Sequence, residues 1–300
     1  MLEYKFLDSF LEDVVPTEDT LGKIFALLEY KEPVDIPVTS SFYVAVLFTL
    51  ARYTLQFLLT QLFREVVPRN DKREENAKRC SESAVKLAYY TFSWLWLLKV
   101  VKSLGIWENT LSCIEHFPYP VTFSIMGVYV WELGFYISGL VCHFTIETRR
   151  KDFWEMALHH LVTICLIAGS VHMQYERIGL MILLLHDISD IFLETGKIFT
   201  YLDNDPVATV AFLGLIVTWF VARCVYFPLK ILRSVWVEHV GYMKIPYGEH
   251  FGVLLLILQV LNIFWFCLLL NMAYKKLFEG ADIEDTRETA VDKRNTDKAK

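Results

Sequence analysis

The 300-residue chain is 54% hydrophobic and 15% aromatic, and its apolar residues are concentrated in long runs. A soluble globular protein averages ~45–50% apolar residues and does not need such runs, so the composition predicts an all-α polytopic membrane protein. The formal net charge of −6 is small and gives no support to nucleic-acid binding.

The N-terminal segment, residues 1–40, is acidic and contains three prolines. We interpret it as a lumenal arm with a short amphipathic helix near Leu21–Leu28. About seven later segments are long enough to cross a ~30 Å hydrocarbon core, which requires roughly 20 helical residues. They lie near residues 42–63, 85–107, 121–146, 155–171, 178–201, 207–232 and 251–274.

The chain therefore divides into five parts. These are the arm at 1–40, a first transmembrane helix at 41–63, a basic cytosolic loop at 64–84, a membrane domain at 85–275 and a tail at 276–300. The tail mixes both charges and lacks apolar periodicity, so we predict that it is disordered.

Basic residues predict the orientation in the membrane. Six of them lie in the loop 64–84, and Arg149, Arg150 and Lys151 follow the third span. By the positive-inside rule, the N-terminus is lumenal and the C-terminus cytosolic. The turn 202–206 is the exception, because it should be cytosolic but has no basic residue.

Four ionisable residues follow one face of the fifth span. Asp187, Asp190, Glu194 and Lys197 are separated by 3, 4 and 3 positions, which is the spacing of neighbours on one side of an α-helix. Glu194 and Lys197 can form an ion pair. The stripe is either a structural ion-pair ladder or a functional site, and intramembrane charge favours a site.

Two adjacent histidines in the fourth span strengthen the functional interpretation. His159 and His160 point ~100° apart on a helix, so one imidazole can meet a substrate while the other meets a carboxylate. Histidine can act as acid and as base near neutral pH. His186, beside Asp187, either takes part or points elsewhere.

A metal site is the competing interpretation, because His159, His160, Asp187 and Asp190 form a plausible ligand set. Adjacent histidines chelate one ion less readily than an i, i+4 pair such as that of HExxH. The chain also lacks the repeated histidine boxes of membrane di-iron oxygenases. We therefore expect no metal here.

The weaker candidates for substrate binding are Glu194 and Lys197 of the stripe and three other basic residues, Arg223, Arg150 and Lys151. The guanidinium of Arg223 suits a phosphate or carbonyl group, although most polar groups in spans are satisfied by snorkelling or interhelical hydrogen bonds. Arg150 and Lys151 are most simply a topology signal, and their position would also suit a phosphate-rich cosubstrate.

Two motifs identify a family. RRKDFWEMALHHLVTICLI, followed by RIGLMILLLHDISDIFLETGKIF, resembles the signature of the ceramide synthases, the longevity-assurance family within the TLC-domain membrane proteins. KRCSESAVKLAYYTFSW, VARCVYFPLKIL and LLLILQVLNIFWF extend the similarity to residues 80–275. The resemblance implies that the last six spans form a TLC-type bundle around a long, narrow lipid cavity.

The resemblance also implies an activity, an acyl-CoA-dependent N-acyltransferase of the endoplasmic-reticulum membrane. The enzyme would transfer a fatty acyl group to the amine of sphinganine or sphingosine, with acyl-CoA as cosubstrate and no other cofactor. His159, His160, Asp187 and Asp190 match the essential pairs of the family. The loop 64–84 is too short for the homeobox-like insert of some relatives, and family members often form dimers.

The expected mechanism uses one histidine, His160 by preference, as a base or as a transient acyl-imidazole nucleophile. Asp187 or Asp190 would orient that ring, and the second histidine would polarise the carbonyl or protonate the thiolate. Direct attack and an acyl-enzyme both remain open. The acyl-chain length and the choice of base are also open, although the resemblance assigns length preference to the loop near 234–250.

Two other functions compete with the enzyme. One is a non-catalytic TLC-domain protein that binds lipid or assists translocation, but a binding protein has no need to keep the four His and Asp groups together. The other is a transporter that uses the residue 187–197 stripe as a proton relay. Inverted repeats or broken helices would be typical of it, and the sequence shows neither.

Overall fold

The computed structural model describes residues 11, 14–27, 38–107, 113, 121–145, 151–238 and 248–279. Within these ranges the chain forms helices and no strand. The helices are α1 (Glu18–Leu27), α2 (Val38–Val66), α3 (Arg73–Leu104), α4 (Phe123–Thr145), α5 (Phe153–His172), α6 (Glu176–Tyr201), α7 (Asp205–Trp219) and α8 (Gly248–Glu279). After α7 the chain continues as π-helix over Phe220–Leu232 and Ser234–Glu238. The all-α prediction is confirmed for this part of the chain.

The long helices coincide with the predicted spans. Five are long and apolar enough to cross a membrane: Ser40–Val66, Phe123–Thr145, Phe153–His172, Asp205–Trp236 and Glu249–Phe278. Helices α3 and α6 have the length but are less apolar, because they carry charged residues along their faces. The chain is thus a polytopic membrane protein, and the count of seven spans stays a prediction.

The connection between the first two long helices is shorter than the predicted loop 64–84. Helix α2 ends at Val66 and α3 begins at Arg73, so most of the predicted loop is helical. Pairs at i, i+4 spacing stabilise this polar stretch as helix, among them Glu75–Arg79 and Glu82–Lys86, each at 2.6 Å. Helix α8 similarly extends to Glu279, past the predicted start of the tail at 276.

Helix α6 lies at the centre of the bundle. It packs against α3, α5, α7 and the π-helical segment, whereas α2 contacts only the outer sides of α3 and α4 among the long helices. Helices α2 and α4 approach each other closely at Gly134, where an added Cβ would lie only 2.9 Å from the Cβ of Val44. Small residues at helix contacts are typical of membrane bundles. The centre of the bundle is therefore where buried polar groups meet.

The N-terminal arm is anchored to this bundle. Helix α1 confirms the short helix predicted near Leu21–Leu28, and Leu21 is buried in the main hydrophobic core. Glu18 accepts a hydrogen bond at 3.2 Å from the backbone N–H of Ser124, near the start of α4. Other predictions for the arm, Arg150, the centre of the loop 234–250 and the tail beyond Glu279 lie outside the described residues.

The π-helical segment brings a cation to the central helix. Pro228 lies within it, and a proline has no N–H to give to the preceding turn. The wider π turns are often found at functional sites. Here the segment holds Arg223, which is 3% exposed, against α6.

Candidate functional site

A narrow cavity lies between α4, α5, α6 and α8. Its wall is mostly apolar and consists of Tyr129, Tyr136, His159, Thr163, Leu166, Ile167, Ser170, Gly179, Ile182, Leu183, His186, Phe251 and Leu258. Each helix contributes residues separated by 3, 4, 7 or 11 positions, which lie on one face. From His159 to Ser170 the wall of α5 rises roughly 16 Å at 1.5 Å per residue. The cavity is therefore long and thin.

One end of the cavity is closed by polar groups that bond to each other. Tyr129 donates its hydroxyl to the carbonyl oxygen of Glu176 at 2.9 Å, and the hydroxyl of Ser170 lies 3.1 Å from the same phenol oxygen. Gly179 faces Tyr129 so closely that any Cβ would overlap the phenol hydroxyl. This end is sealed without an unpaired charge.

The other end holds one histidine of the predicted pair. His159 lines the cavity, whereas His160 is not part of the wall and packs against Gly139 of α4, where a Cβ would lie 3.0 Å from its Cε1. The two rings are 5.8 Å apart. His159 is therefore the imidazole of this cavity, because helical geometry turns His160 towards α4, and the sequence-based preference for His160 as the reacting imidazole stays a prediction.

His186 also reaches this end, and both of its ring nitrogens are engaged. Nδ1 lies 2.8 Å from the carbonyl oxygen of Ile182, and Nε2 lies 3.2 Å from the amide nitrogen of Asn262. A carbonyl oxygen can only accept, so the proton is on Nδ1 and Nε2 accepts from Asn262. His186 is thus held as a neutral imidazole in one tautomer.

The two aspartates of α6 have different surroundings. Asp190 forms an ion pair at 2.8 Å with Arg223, which also donates to the carbonyl oxygen of His186 at 2.7 Å and stacks on Trp219. Asp187 is fully buried, and neither carboxylate oxygen has a hydrogen-bond partner among the described residues. The expectation that Asp187 or Asp190 orients a reacting imidazole stays a prediction. Arg223 neutralises Asp190 within the protein.

Glu132 of α4 is a third carboxylate of the cluster; the sequence places it inside a span, among the polar residues expected to be satisfied by interhelical hydrogen bonds, but not among the candidate site residues. It is fully buried and accepts hydrogen bonds from Tyr89, at 2.8 Å, and from Ser93. It also interacts electrostatically with Asp187. A lone glutamate in the otherwise apolar third span was the signal that could have identified it.

Tyr136 of α4 interacts both with the two histidines and with the buried carboxylates. It was not among the predicted site residues. Its ring contacts those of His159 and His160 edge-on, with centroid distances of 6.1 and 6.0 Å. Its phenol group interacts electrostatically with Asp187 and Glu132. Tyrosines are common in apolar spans, so no sequence pattern distinguished this one.

The remaining predicted residues lie away from the cavity. Glu194 and Lys197 form the predicted ion pair, at 2.7 Å, and Glu194 also interacts with Lys86 of α3. Lys151 is exposed at the start of α5. In the part of the chain that the structure describes, no three His, Cys, Asp or Glu side chains converge on a possible metal position.

Comparison with known proteins first defines the class. A family model described as a TLC domain matches residues 79–271, which is more than half of the chain. The match covers α3 to α7, the π-helical segment and most of α8, and so includes all four helices of the cavity. The protein is a polytopic helical membrane protein with a TLC domain.

The curated relatives define the family. Ceramide synthase hyl-2 of Caenorhabditis elegans is 33% identical over 72% of this chain and 69% of its own length. Ceramide synthase LOH2 of Arabidopsis thaliana is 35% identical over 71% and 75%, respectively. Ceramide synthase 4 of Bos taurus is 34% identical over 73% of this chain and 56% of its own length. The chain belongs to the ceramide synthase family, which confirms the resemblance of the two motifs.

Proposed function

We propose that this protein transfers a fatty acyl group from acyl-CoA to the amine of a sphingoid base and so forms a ceramide or dihydroceramide. The observation that carries the proposal is the position of His159 at one end of a narrow apolar cavity, in a chain of the ceramide synthase family. A narrow cavity suits an unbranched hydrocarbon chain, because most of the side chains along its length are apolar.

The acyl chain would lie along the cavity with its thioester next to His159 and its tail towards Tyr129. Burial of each methylene group contributes about 0.8 kcal/mol, so the wall of Leu166, Ile167 and Leu183 supplies binding energy along the chain. Water is excluded from a wall of this kind, which disfavours hydrolysis of the thioester.

The reaction forms one bond and breaks one bond. The nitrogen–carbon bond to the amine forms, the carbon–sulfur bond to CoA breaks, and one proton passes from the amine to the sulfur through the imidazole of His159. This balance is the same for direct attack and for an acyl-imidazole intermediate. His159 is preferred to His160 because it lines the cavity.

Asp187 would stabilise positive charge in this reaction. A fully buried carboxyl group without a hydrogen-bond partner is available to pair with a cation, and the reaction produces one, first on the amine and then on the imidazole. The ring of Tyr136 contacts both imidazoles edge-on. Asp190 has a positioning role, because its ion pair with Arg223 fixes α6 to the π-helical segment.

The proposed location is the endoplasmic-reticulum membrane, with the N-terminus in the lumen. The basic residues of the segment 64–84 and Lys151 support this orientation through the positive-inside rule. It would place the start of α5, and the adjacent Arg150, on the cytosolic side where acyl-CoA arrives.

The test uses microsomes or purified protein supplied with a series of acyl-CoAs and with sphinganine or sphingosine. Wild type should form the amide, and His159→Ala should abolish it. His172→Ala is the matched control, because His172 is exposed at the far end of the same helix. Absence of amide from wild type with every chain length, or full activity of His159→Ala, would refute the proposal and favour a non-catalytic lipid-binding protein.

A further inference from the structure

The polar groups of the cavity wall differ in whether they already have partners. Tyr129, Ser170 and His186 are all hydrogen-bonded within the protein. In contrast, His159 Nδ1 and Thr163 Oγ1 are buried and have no hydrogen-bond partner among the described residues. Both lie on α5, one helical turn apart. These two groups remain able to bind a ligand.

Thr163 is unusual among the threonines of this protein. A helical threonine commonly donates its hydroxyl to the carbonyl four residues earlier. Eight others in the described helices do so: Thr49, Thr54, Thr60, Thr91, Thr145, Thr195, Thr200 and Thr218. The hydroxyl of Thr163, a residue only 7% exposed, lacks this bond although it lies in the cavity wall.

Acyl transfer requires a hydrogen-bond donor for the thioester carbonyl oxygen, next to His159. When nitrogen attacks the thioester, the π electrons of the carbonyl move to oxygen, and the resulting negative charge requires hydrogen-bond donors. Backbone N–H groups in the middle of a helix are already bonded to carbonyls four residues earlier. A side chain must therefore supply the donor on this part of α5.

We propose that the hydroxyl of Thr163 donates a hydrogen bond to the carbonyl oxygen of the acyl group during transfer. This inference rests on the proposed function. Residues at i and i+4 have Cβ atoms about 5–6 Å apart, so a thioester beside His159 lies within reach of Thr163. Thr163 keeps its proton throughout. The oxygen returns its electrons to the carbonyl when the carbon–sulfur bond breaks.

The test compares three variants with wild type in steady-state kinetics. Thr163→Val keeps the size and the branched shape but removes the hydroxyl, and it should lower kcat by about 10²–10³-fold with little change in KM. Thr163→Ser keeps the hydroxyl and should stay within about threefold of wild type. Thr195→Val makes the same chemical change at a threonine outside the cavity, and its activity should be unchanged.

The results that would overturn the role of Thr163 differ from the result that would overturn the proposed function. If Thr163→Val retains wild-type kcat, Thr163 is not the donor. If Thr163→Val and Thr163→Ser lose activity equally, Thr163 contributes packing through its methyl group, and the inference is again overturned. If wild type forms no amide at all, the proposed function fails. Amide formation by wild type that is unaffected in Thr163→Val would overturn this inference alone.

Discussion

The polar groups of the cavity wall and those of the ionic stripe of α6 differ in whether they have partners within the protein. On the stripe, Asp190 is paired with Arg223, and Glu194 with Lys197. In the cavity wall, His159 Nδ1 and the hydroxyl of Thr163 are buried without hydrogen-bond partners among the described residues, and so is Asp187, the first residue of the stripe. Unpaired buried polar groups destabilise a protein. The comparison therefore separates groups that hold the helices together from groups that are available to a substrate.

Among the variants of the α6 stripe, Asp187→Asn should have the largest effect on activity. We expect kcat to fall by about 10²-fold or more, because the charge that stabilises the cationic imidazole is lost. Its thermal stability should be equal to that of wild type or higher, because an unpartnered buried charge is removed. A clear loss of stability would place Asp187 with the structural groups instead.

Asp190→Asn should have the largest effect on stability. Removal of one partner of a buried ion pair costs about 3–5 kcal/mol, because Arg223 is then left uncompensated. Thermal unfolding of the purified protein, followed by tryptophan fluorescence, measures the loss. The double variant Asp190→Asn with Arg223→Gln should recover part of it. If the double variant is as unstable as the sum of the single variants, the two residues are not coupled.

Gly179→Ala tests the closed end of the cavity. The added Cβ would overlap the hydroxyl of Tyr129, so the cavity should shorten and activity with the longest accepted acyl-CoA should fall by about tenfold relative to shorter ones. Gly196→Ala on the same helix is the control, because its Cβ would meet Ala211 at an ordinary 3.7 Å. An unchanged chain-length profile for Gly179→Ala would show that the acyl tail does not reach Tyr129.

The smallest effect on stability is expected at the exposed ion pair between Arg64 and Glu74, outside the cavity. Hydrogen bonding to Arg64 lowers the pKa of Glu74 below its ordinary value. The stabilisation is therefore present at neutral pH and disappears as the pH falls through the lowered pKa. Thermal unfolding of wild type and Glu74→Gln should differ slightly at neutral pH and converge in acid below about pH 4. A difference that persists in acid would contradict this origin.

The sequence predicted the helices well because hydrophobic runs and membrane thickness constrain each other. The centres of the seven predicted spans all lie within long helices. Much of the predicted loop 64–84 is helical, because polar residues at i, i+4 spacing continue α3 beyond its apolar part, and its cytosolic position stays a prediction. Hydropathy alone does not distinguish a polar helix from a loop.

The site was predicted less completely, because its geometry depends on helices that are distant in sequence. The spacing of Asp187, Asp190, Glu194 and Lys197 correctly indicated one face and the Glu194–Lys197 pair. No local pattern shows that Arg223, 33 residues after Asp190, neutralises that carboxylate. Nor does the pair of adjacent histidines show which ring faces the cavity, since that depends on the rotation of α5 in the bundle.

The ion pair between Asp190 and Arg223 also bears on how the protein is made. An aspartate at the centre of a transmembrane helix opposes insertion by about 2.5–3.5 kcal/mol, so α6 would enter the bilayer poorly by itself. Its countercharge comes from the next segment to be synthesised, and only the turn 202–204 separates α6 from α7. We expect the two helices to leave the translocation channel together, as a hairpin in which Asp190 and Arg223 are already paired.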